Sequence, residues 1–246
     1  MANVDYERVA STYQTGRSAV AHEDIWGPLV TPYLPARSPL HVLDLGAGTG
    51  IFSRVWPGWG ADRVVALDPS QAMLGEARRI GLEPGTFPIN ARGEWLPLRD
   101  DSMDAVWIST VFHHLKDRER CLDDLVRVLR GPGSVVLVRG QFPGRWDGGW
   151  HHVFPGIDRA MERFPRLDAV REPFEQRGFA LRGVERVPET RASGAAIAAW
   201  VRRMRDADTL LLGLTDDEIS DGLAELDRLG DEELSGPTLE TAVFGL

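Results

Sequence analysis

The run Val42-Leu43-Asp44-Leu45-Gly46-Ala47-Gly48-Thr49-Gly50 constrains this chain more than any other segment. A short apolar strand delivers the backbone to a turn with glycine at every second position. Glycine is needed where a chain turns tightly, or where a ligand lies against the backbone with no Cβ in the way. A helix is expected to open after the turn. A second short strand, Arg63 to Leu67, ends in Asp68, whose carboxylate can accept two hydrogen bonds from ribose hydroxyls. A strand, a glycine turn and an acid about 20 residues on form the nucleoside-binding arrangement of a doubly wound sheet.

The glycine spacing narrows the nucleoside. Dinucleotide-binding turns read G-x-G-x-x-G, whereas Gly46, Gly48 and Gly50 read G-x-G-x-G and Ile51 stands where the last glycine belongs. A nicotinamide oxidoreductase is therefore disfavoured. Asp44, two residues before the turn, would repel a phosphate but favour the ammonium group of an amino-acid moiety, directly or through water. Capping the neighbouring helix is its plainer role.

The rest of the chain alternates short apolar runs with helix-like segments, which reads as a parallel sheet wrapped by helices. Strands are expected at 41–45, 63–67, 86–90, 103–109, 134–138, 179–187 and 238–244. Ser70 is a plausible N-cap for a helix through Arg79, and Leu122, Leu125, Val126 and Leu129 carry helical spacing within 117–130. Gly131-Pro132-Gly133 stops that helix. Further helices are expected within 156–177 and 192–229. The aperiodic stretch 139–156, with Trp146, Trp150, His151 and His152, reads as a loop that meets a substrate, since aromatic rings bury area at low entropic cost. A mobile surface loop is its plainer reading.

Composition bounds the partners. Of the 246 residues 43% are hydrophobic and 26% charged, as in soluble globular proteins. No apolar run of about 18 residues predicts a membrane span, and the polar stretch from Met1 to Arg17 lacks the core of a secretory signal. The single cysteine, Cys121, excludes an intramolecular disulfide and fits a cytoplasmic setting. A net charge of −9 disfavours nucleic acid. The vicinal pairs His113-His114 and His151-His152 lack one-face ligand spacing, so no metal is expected.

Val42 to Gly50 resembles motif I of class I S-adenosylmethionine-dependent methyltransferases. The likeness runs on through Asp68-Pro69-Ser70-Gln71-Ala72-Met73-Leu74, then Glu94-Trp95-Leu96-Pro97 with Ser102 to Val106, then Arg127 to Gly133. The opening Tyr6 to Ala10 and Tyr13 to Arg17 resemble the N-terminal lid of the small-molecule branch, the methyltransferase type 11 group. The resemblance implies a Rossmann-like, doubly wound, mostly parallel seven-stranded α/β sheet with helices on both faces. It also implies one domain over 1–246, with lid helices in 1–35, a substrate loop at 139–156 and a helical cap over the acceptor site at 190–232.

The resemblance implies S-adenosylmethionine as cofactor. Gly46, Gly48 and Gly50 would pass beneath its methionine part, with Asp44 nearby. Asp68 would hold the ribose, and Pro69 and Met73 would pack on the adenine, although Met73 also suits the core. Arg92, Gly93 and Glu94 would border the adenine edge. The family's commonest pattern has an acid where Arg92 stands, so recognition would fall to backbone groups, with Arg92 stacking on the ring. Tyr13 and Arg17 would close over the carboxylate, although Tyr13 also suits helix packing.

In open α/β sheets ligands sit beyond the carboxyl ends of the strands. The end of the fourth strand, Ser109-Thr110-Val111-Phe112-His113-His114, should therefore face the methyl group. Histidine takes a proton near neutral pH, so either His113 or His114 is a candidate base, while adjacent residues do not both point one way. A structural role for the pair is the plainer reading. The expected function is methyl transfer to a small-molecule acceptor in secondary metabolism, with oxygen preferred over nitrogen or carbon. The alternatives are an S-adenosylmethionine-binding protein that catalyses a cyclisation or rearrangement, and a non-catalytic partner of another methyltransferase. A homodimer is compatible with the sequence.

Overall fold

The computed structural model describes residues 4–17, 23–188 and 191–246. Two helices, α1 (Tyr6–Arg17) and α2 (Glu23–Val30), precede β1 (His41–Leu45). Then come β2 (Arg63–Asp68), α3 (Gln71–Ile80), β3 (Thr86–Asn90), β4 (Ala105–Ser109), α4 (Arg118–Val128) and β5 (Val135–Gly140). The second half holds α5 (Ile157–Met161), α6 (Leu167–Glu175), β6 (Ala180–Pro188), β7 (Arg191–Ser193), α7 (Gly194–Met204), α8 (Asp216–Leu229), β8 (Glu233–Ser235) and β9 (Thr238–Gly245).

Seven strands form one Rossmann-like sheet in the order β3-β2-β1-β4-β5-β9-β6. The strands from β3 to β5 pair in parallel, and β9 runs antiparallel to both of its neighbours. The chain leaves β1 toward β2 on one side and returns to β4 on the other. The carboxyl ends of β1 and β4 therefore flank the switch point where such sheets open a crevice.

The period of two along a strand sends alternate side chains to opposite faces. Leu43, Leu45, Val106 and Ile108 meet α4 and α6 on one face. Val42, Val64, Trp107 and Leu137 meet Trp26, Val30 and Trp56 on the other. Burial on both faces explains why β1, β4 and β5 read as apolar runs rather than alternating ones. Ser70 caps α3 by accepting from the Met73 amide at 3.1 Å.

Two expectations are corrected. The glycine turn does not open a regular helix. Residues 50–59 coil through isolated helical bonds, such as Arg54 N to Gly50 O at 3.2 Å, and end in a 3-10 turn at Trp56–Trp59. Pro57, Gly58 and Gly60 interrupt a longer helix. The small β7–β8 pair was not expected, because three-residue strands carry no readable period.

A separate apolar cluster unites the 139–156 stretch with the helices behind it. Phe154, Ile197, Val201 and Leu226 form its centre, and Trp146, Trp150, Val9 and Tyr13 pack on it. Gly222 of α8 lies so close to the Phe154 ring that a Cβ would overlap it. Overpacking costs about 1–3 kcal/mol, against roughly 1 kcal/mol gained when alanine replaces a helical glycine. Gly222→Ala is expected to lower the melting temperature. Gly75→Ala, where a Cβ meets nothing within 4 Å, is expected to hold or raise it; equal shifts in calorimetry would mean the Phe154 ring yields freely.

Candidate functional site

The turn after β1 is tied to the end of β2. The amides of Gly46 and Ala47 donate to Leu67 O at 2.8 and 3.0 Å. Asp68 completes the tie: Oδ2 accepts from Gly48 N and Oδ1 from Ser70 N, each at 2.8 Å. Burial raises the pKa of this carboxyl, while the Ser70 and Gly48 amides oppose the rise. Gly46 and Gly48 hold φ of 74° and 55°. A Cβ on Gly46 would overlap Val111, and one on Gly48 would stand in open space above the turn.

That space is a cavity of about 370 Å³ beyond the carboxyl ends of β1, β2 and β4, large enough for a small-molecule ligand. Of the residues expected to hold a cofactor, Tyr13, Gly46, Gly48, Asp68, Pro69, Met73, Arg92, Gly93, Glu94 and Ser109 line it. Met73 is both wall and core, being 1% exposed. Glu94 turns a carboxylate oxygen to Lys116 N at 3.0 Å, which joins the segment after β3 to the segment after β4. Ser109 Oγ accepts from Arg139 Nη1 at 3.1 Å, and the buried Arg139 guanidinium lies over Trp26 and Phe52.

Three expected residues stand elsewhere. Arg17 closes α1, and its side chain lies outside the described residues. Gly50 does not line the cavity, since it faces Ala77 and Arg54 and serves packing against α3. Asp44 lies below the turn, on the opposite face of β1 from Leu45, and accepts from Ser53 Oγ at 2.5 Å. Burial pushes its carboxyl up to about 7. The unfolded carboxyl releases its proton near 3.8, so stability falls as pH rises between those values. Asp44→Asn keeps an acceptor for Ser53 and has no proton to lose. Its melting temperature relative to the native chain is therefore expected to improve from about pH 4 to about pH 7. A constant difference would show that Asp44 is ionised throughout.

Helix α1 roofs the cavity. The Glu7 carboxylate accepts from the Gln71 and Ala72 amides at 2.9 and 3.2 Å, at the N-terminus of α3, where the helix dipole favours an anion. At the other end of α1, Gly16 O accepts from Trp200 Nε1 at 2.9 Å, and Gly16 packs so tightly on Met204 that a Cβ would overlap it.

A second, much smaller cavity of about 20 Å³ adjoins the first, and Tyr6, Tyr13, Thr110 and His114 line both. His113, Gln141, Phe164, Ala207, Asp208, Thr209 and Leu210 complete it. Thr110 holds φ of 54°, rare for a β-branched residue, with its amide donating to Arg139 O at 2.8 Å. His114 Nε2 lies 2.9 Å from Tyr6 Oη and 3.4 Å from Thr209 Oγ1. Burial, with Arg163 adding to it and Asp208 opposing, lowers its pKa to about 4. His113 faces only the second cavity and lies against Phe164 at 4.4 Å.

Of the expected substrate loop 139–156, Gln141 lines the second cavity. Trp146, Trp150, His151 and His152 line neither of these two cavities. Trp150 stacks on buried His151 at 3.6 Å and meets Trp200 edge-on, and His152 is exposed beside Trp146. Trp146 and Trp150 pack, half-buried, against the apolar cluster beneath α7 and α8. Thr110 lies in the segment expected to face the methyl group, Tyr6 in the lid-like opening, Gln141 in the 139–156 loop and Asp208 and Thr209 in the 190–232 cap, but of these the sequence singles out only Thr110 toward the acceptor, and Phe164 carries no signal. Among the described residues no group of three His, Cys, Asp or Glu is arranged to hold a metal, and no helix is long and apolar enough to cross a membrane.

The methyltransferase domain family matches residues 43–137. The chain is 33% identical over 142 residues to a demethylmenaquinone methyltransferase of Clavibacter sepedonicus, covering 56% of this chain and 57% of that protein. It is 30% identical over 174 residues to an uncharacterized methyltransferase of Mycolicibacterium vanbaalenii, covering 68% of this chain and 67% of that one. The chain belongs to the S-adenosylmethionine-dependent methyltransferases. It spans between 52% and 64% of the length of the first relatives it matches. A solved S-adenosylmethionine-dependent methyltransferase from Mesorhizobium loti shares the fold, with 22% identity and a TM-score of 0.55 over 91% of this chain and 100% of that one.

S-adenosylmethionine is the cofactor of this methyltransferase, and the cavity fits it. The bare backbone at Gly48 leaves room where a side chain would intrude. Asp68 keeps acceptor capacity beyond its two amide bonds, since an ionised carboxylate offers about four lone-pair sites.

Proposed function

We propose that this methyltransferase moves a methyl group from S-adenosylmethionine to a hydroxyl oxygen of a small molecule, as in secondary metabolism. One observation carries the reading: the cofactor cavity and the small second cavity share a wall at the end of β4, formed by Tyr6, Tyr13, Thr110 and His114. Bound S-adenosylmethionine supplies an electrophilic methyl on a sulfonium sulfur. The chain aligns an acceptor with it and excludes water, and positioning of this kind is worth roughly 7–11 kcal/mol.

Asp68 holds the ribose, Pro69 and Met73 flank the adenine, and Gly46 and Gly48 leave space for the methionine part. Arg92 lies at the mouth as an exposed cation that stacks on the ring. The second cavity, with hydroxyl, imidazole and amide groups around Phe164, receives the reacting end of the acceptor. His114, which meets both cavities, is favoured over His113 as the group that takes a proton.

The test is calorimetry with S-adenosylmethionine and S-adenosylhomocysteine, followed by a screen of phenols, alcohols and amines for S-adenosylhomocysteine release. Binding of both with turnover of a hydroxyl compound is expected. Binding without turnover of any acceptor would favour a protein that uses the cofactor for another reaction. Binding of neither would end the assignment.

A further inference from the structure

A hydroxyl acceptor must lose a proton as it takes the methyl, and the oxygen best placed to receive that proton sits on the lid. Tyr6 opens α1 and lines both cavities. Its hydroxyl is 2.9 Å from His114 Nε2, and its ring stands edge-on to the imidazole at 5.5 Å and 87°. His114 lies on the short turn that continues β4 and so belongs to the frame of the sheet. Tyr6 belongs to a helix held in place by Glu7 on α3 and by Gly16 on Trp200. The pair therefore exists only with α1 docked. Resting on the methyl-transfer reading above, we propose that docking of α1 assembles a Tyr6–His114 proton relay, which makes Tyr6 a further catalytic residue.

The step balances as follows. The acceptor oxygen attacks the methyl carbon, an O–C bond forms, the C–S bond breaks, and its electron pair stays on sulfur. The acceptor proton passes to Tyr6 Oη while the Tyr6 proton passes to His114 Nε2. This needs a neutral imidazole that carries its hydrogen on Nδ1, so that Nε2 is an acceptor. Burial and Arg163 keep the ring neutral, with a pKa lowered to about 4. The number of positive charges in the site is conserved, one lost from sulfur as one forms on the imidazole. A neighbouring cation weakens a base, so His114 gains basicity as the reaction advances. Asp208, which also lines the second cavity, favours the imidazolium. Tyr13 meets Tyr6 edge-on at 6.0 Å, His113 lies 4.0 Å from the His114 ring, and Thr209 is the longer of the two Nε2 partners at 3.4 Å. Undocking of α1 would withdraw Tyr6 and open His114 to water, which removes the proton.

Two measurements test this. The first is nitrogen NMR of histidine-labelled protein with S-adenosylhomocysteine bound, His114 being assigned by its absence in His114→Gln. The expected result is a neutral ring protonated on Nδ1, with an Nε2 resonance that moves in Tyr6→Phe, a variant that keeps the ring and loses the hydroxyl. The second is turnover of a hydroxyl acceptor from the screen. Tyr6→Phe is expected to lower kcat by about 100-fold or more, to leave S-adenosylhomocysteine affinity unchanged, and to make the remaining rate climb with pH as hydroxide takes the proton. A proton on Nε2, or native kcat in Tyr6→Phe, would overturn the relay. If the native protein binds S-adenosylhomocysteine but methylates nothing, the methyl-transfer reading fails. The tautomer then decides the pair alone, Nδ1–H supporting it and Nε2–H overturning it.

Discussion

Asp68→Ala is expected to weaken S-adenosylhomocysteine binding by more than about 100-fold, the largest loss of any single cofactor-site substitution. The carboxylate does two jobs at once. Toward the ligand, on the function proposed above, it would offer charged acceptors to ribose hydroxyls, each worth about 1.5–3 kcal/mol. Toward the protein it joins Gly48 of the turn to Ser70 of the next helix, and both amides lose their partner when it is removed. A buried amide left unpaired costs about 1–3 kcal/mol, so the apo protein should also melt earlier. Asp68→Asn separates the two jobs. Its amide oxygen still accepts, but its NH2 would face an N–H donor where the second carboxylate oxygen accepted. It should therefore bind nearly as poorly as the alanine variant. Calorimetry beside thermal melts reads both effects. Affinity within a few-fold of native in Asp68→Ala would remove the ribose assignment and leave Asp68 as a brace for the turn.

The place of Asp68, Gly46 and Gly48 at the cavity was legible in the sequence because it is local to one strand–turn–strand unit. The strands were legible for a similar reason: double burial writes continuous apolar runs, and Gly131-Pro132-Gly133 marks its own helix end. What escaped depends on contacts between distant segments. The Tyr6–His114 bond spans 108 positions. Nothing in a His-His pair says which ring will face the cofactor cavity; the 3-10 turn Phe112–His114 decides it, giving both cavities to His114 and one to His113. Trp146, Trp150 and His151 read as ligand-facing because aromatic, glycine-rich loops often are. His151 is buried and Trp146 and Trp150 are half-buried because the cluster beneath α7 and α8 packs on them, and no local pattern announces that. Asp44 shows the same limit in one residue, since the period of two turned its side chain to Ser53 and away from the cavity.

The largest expected loss of stability lies at the other end of the sheet, at Asp104. Its side chain is fully buried. Oδ2 accepts from His41 N at 2.8 Å and Arg130 Nη1 at 2.6 Å, and Oδ1 accepts from Arg37 Nη1 at 3.1 Å. The three donors bring together the start of β1, the turn before β5 and the segment leading into the sheet. Arg37 also donates to Pro132 O at 2.7 Å, which locks that turn from outside. Removing the carboxylate leaves the His41 amide unpaired and ends charge-assisted hydrogen bonds to two arginines that stay partly solvated, a combined loss of about 3–5 kcal/mol. For a chain of this length that corresponds to a melting temperature lower by roughly 6–20 °C. Asp104→Ala should show that loss, and Asp104→Asn, which keeps one acceptor oxygen, a smaller one. Neither variant touches the cofactor cavity, so folded protein at low temperature should bind S-adenosylhomocysteine with native affinity. A loss below about 1 kcal/mol would mean that water or Asp101 takes over the two arginines. Lost affinity at full folding would mean instead that the network reaches the glycine turn through β1, since His41 and Asp44 share that strand.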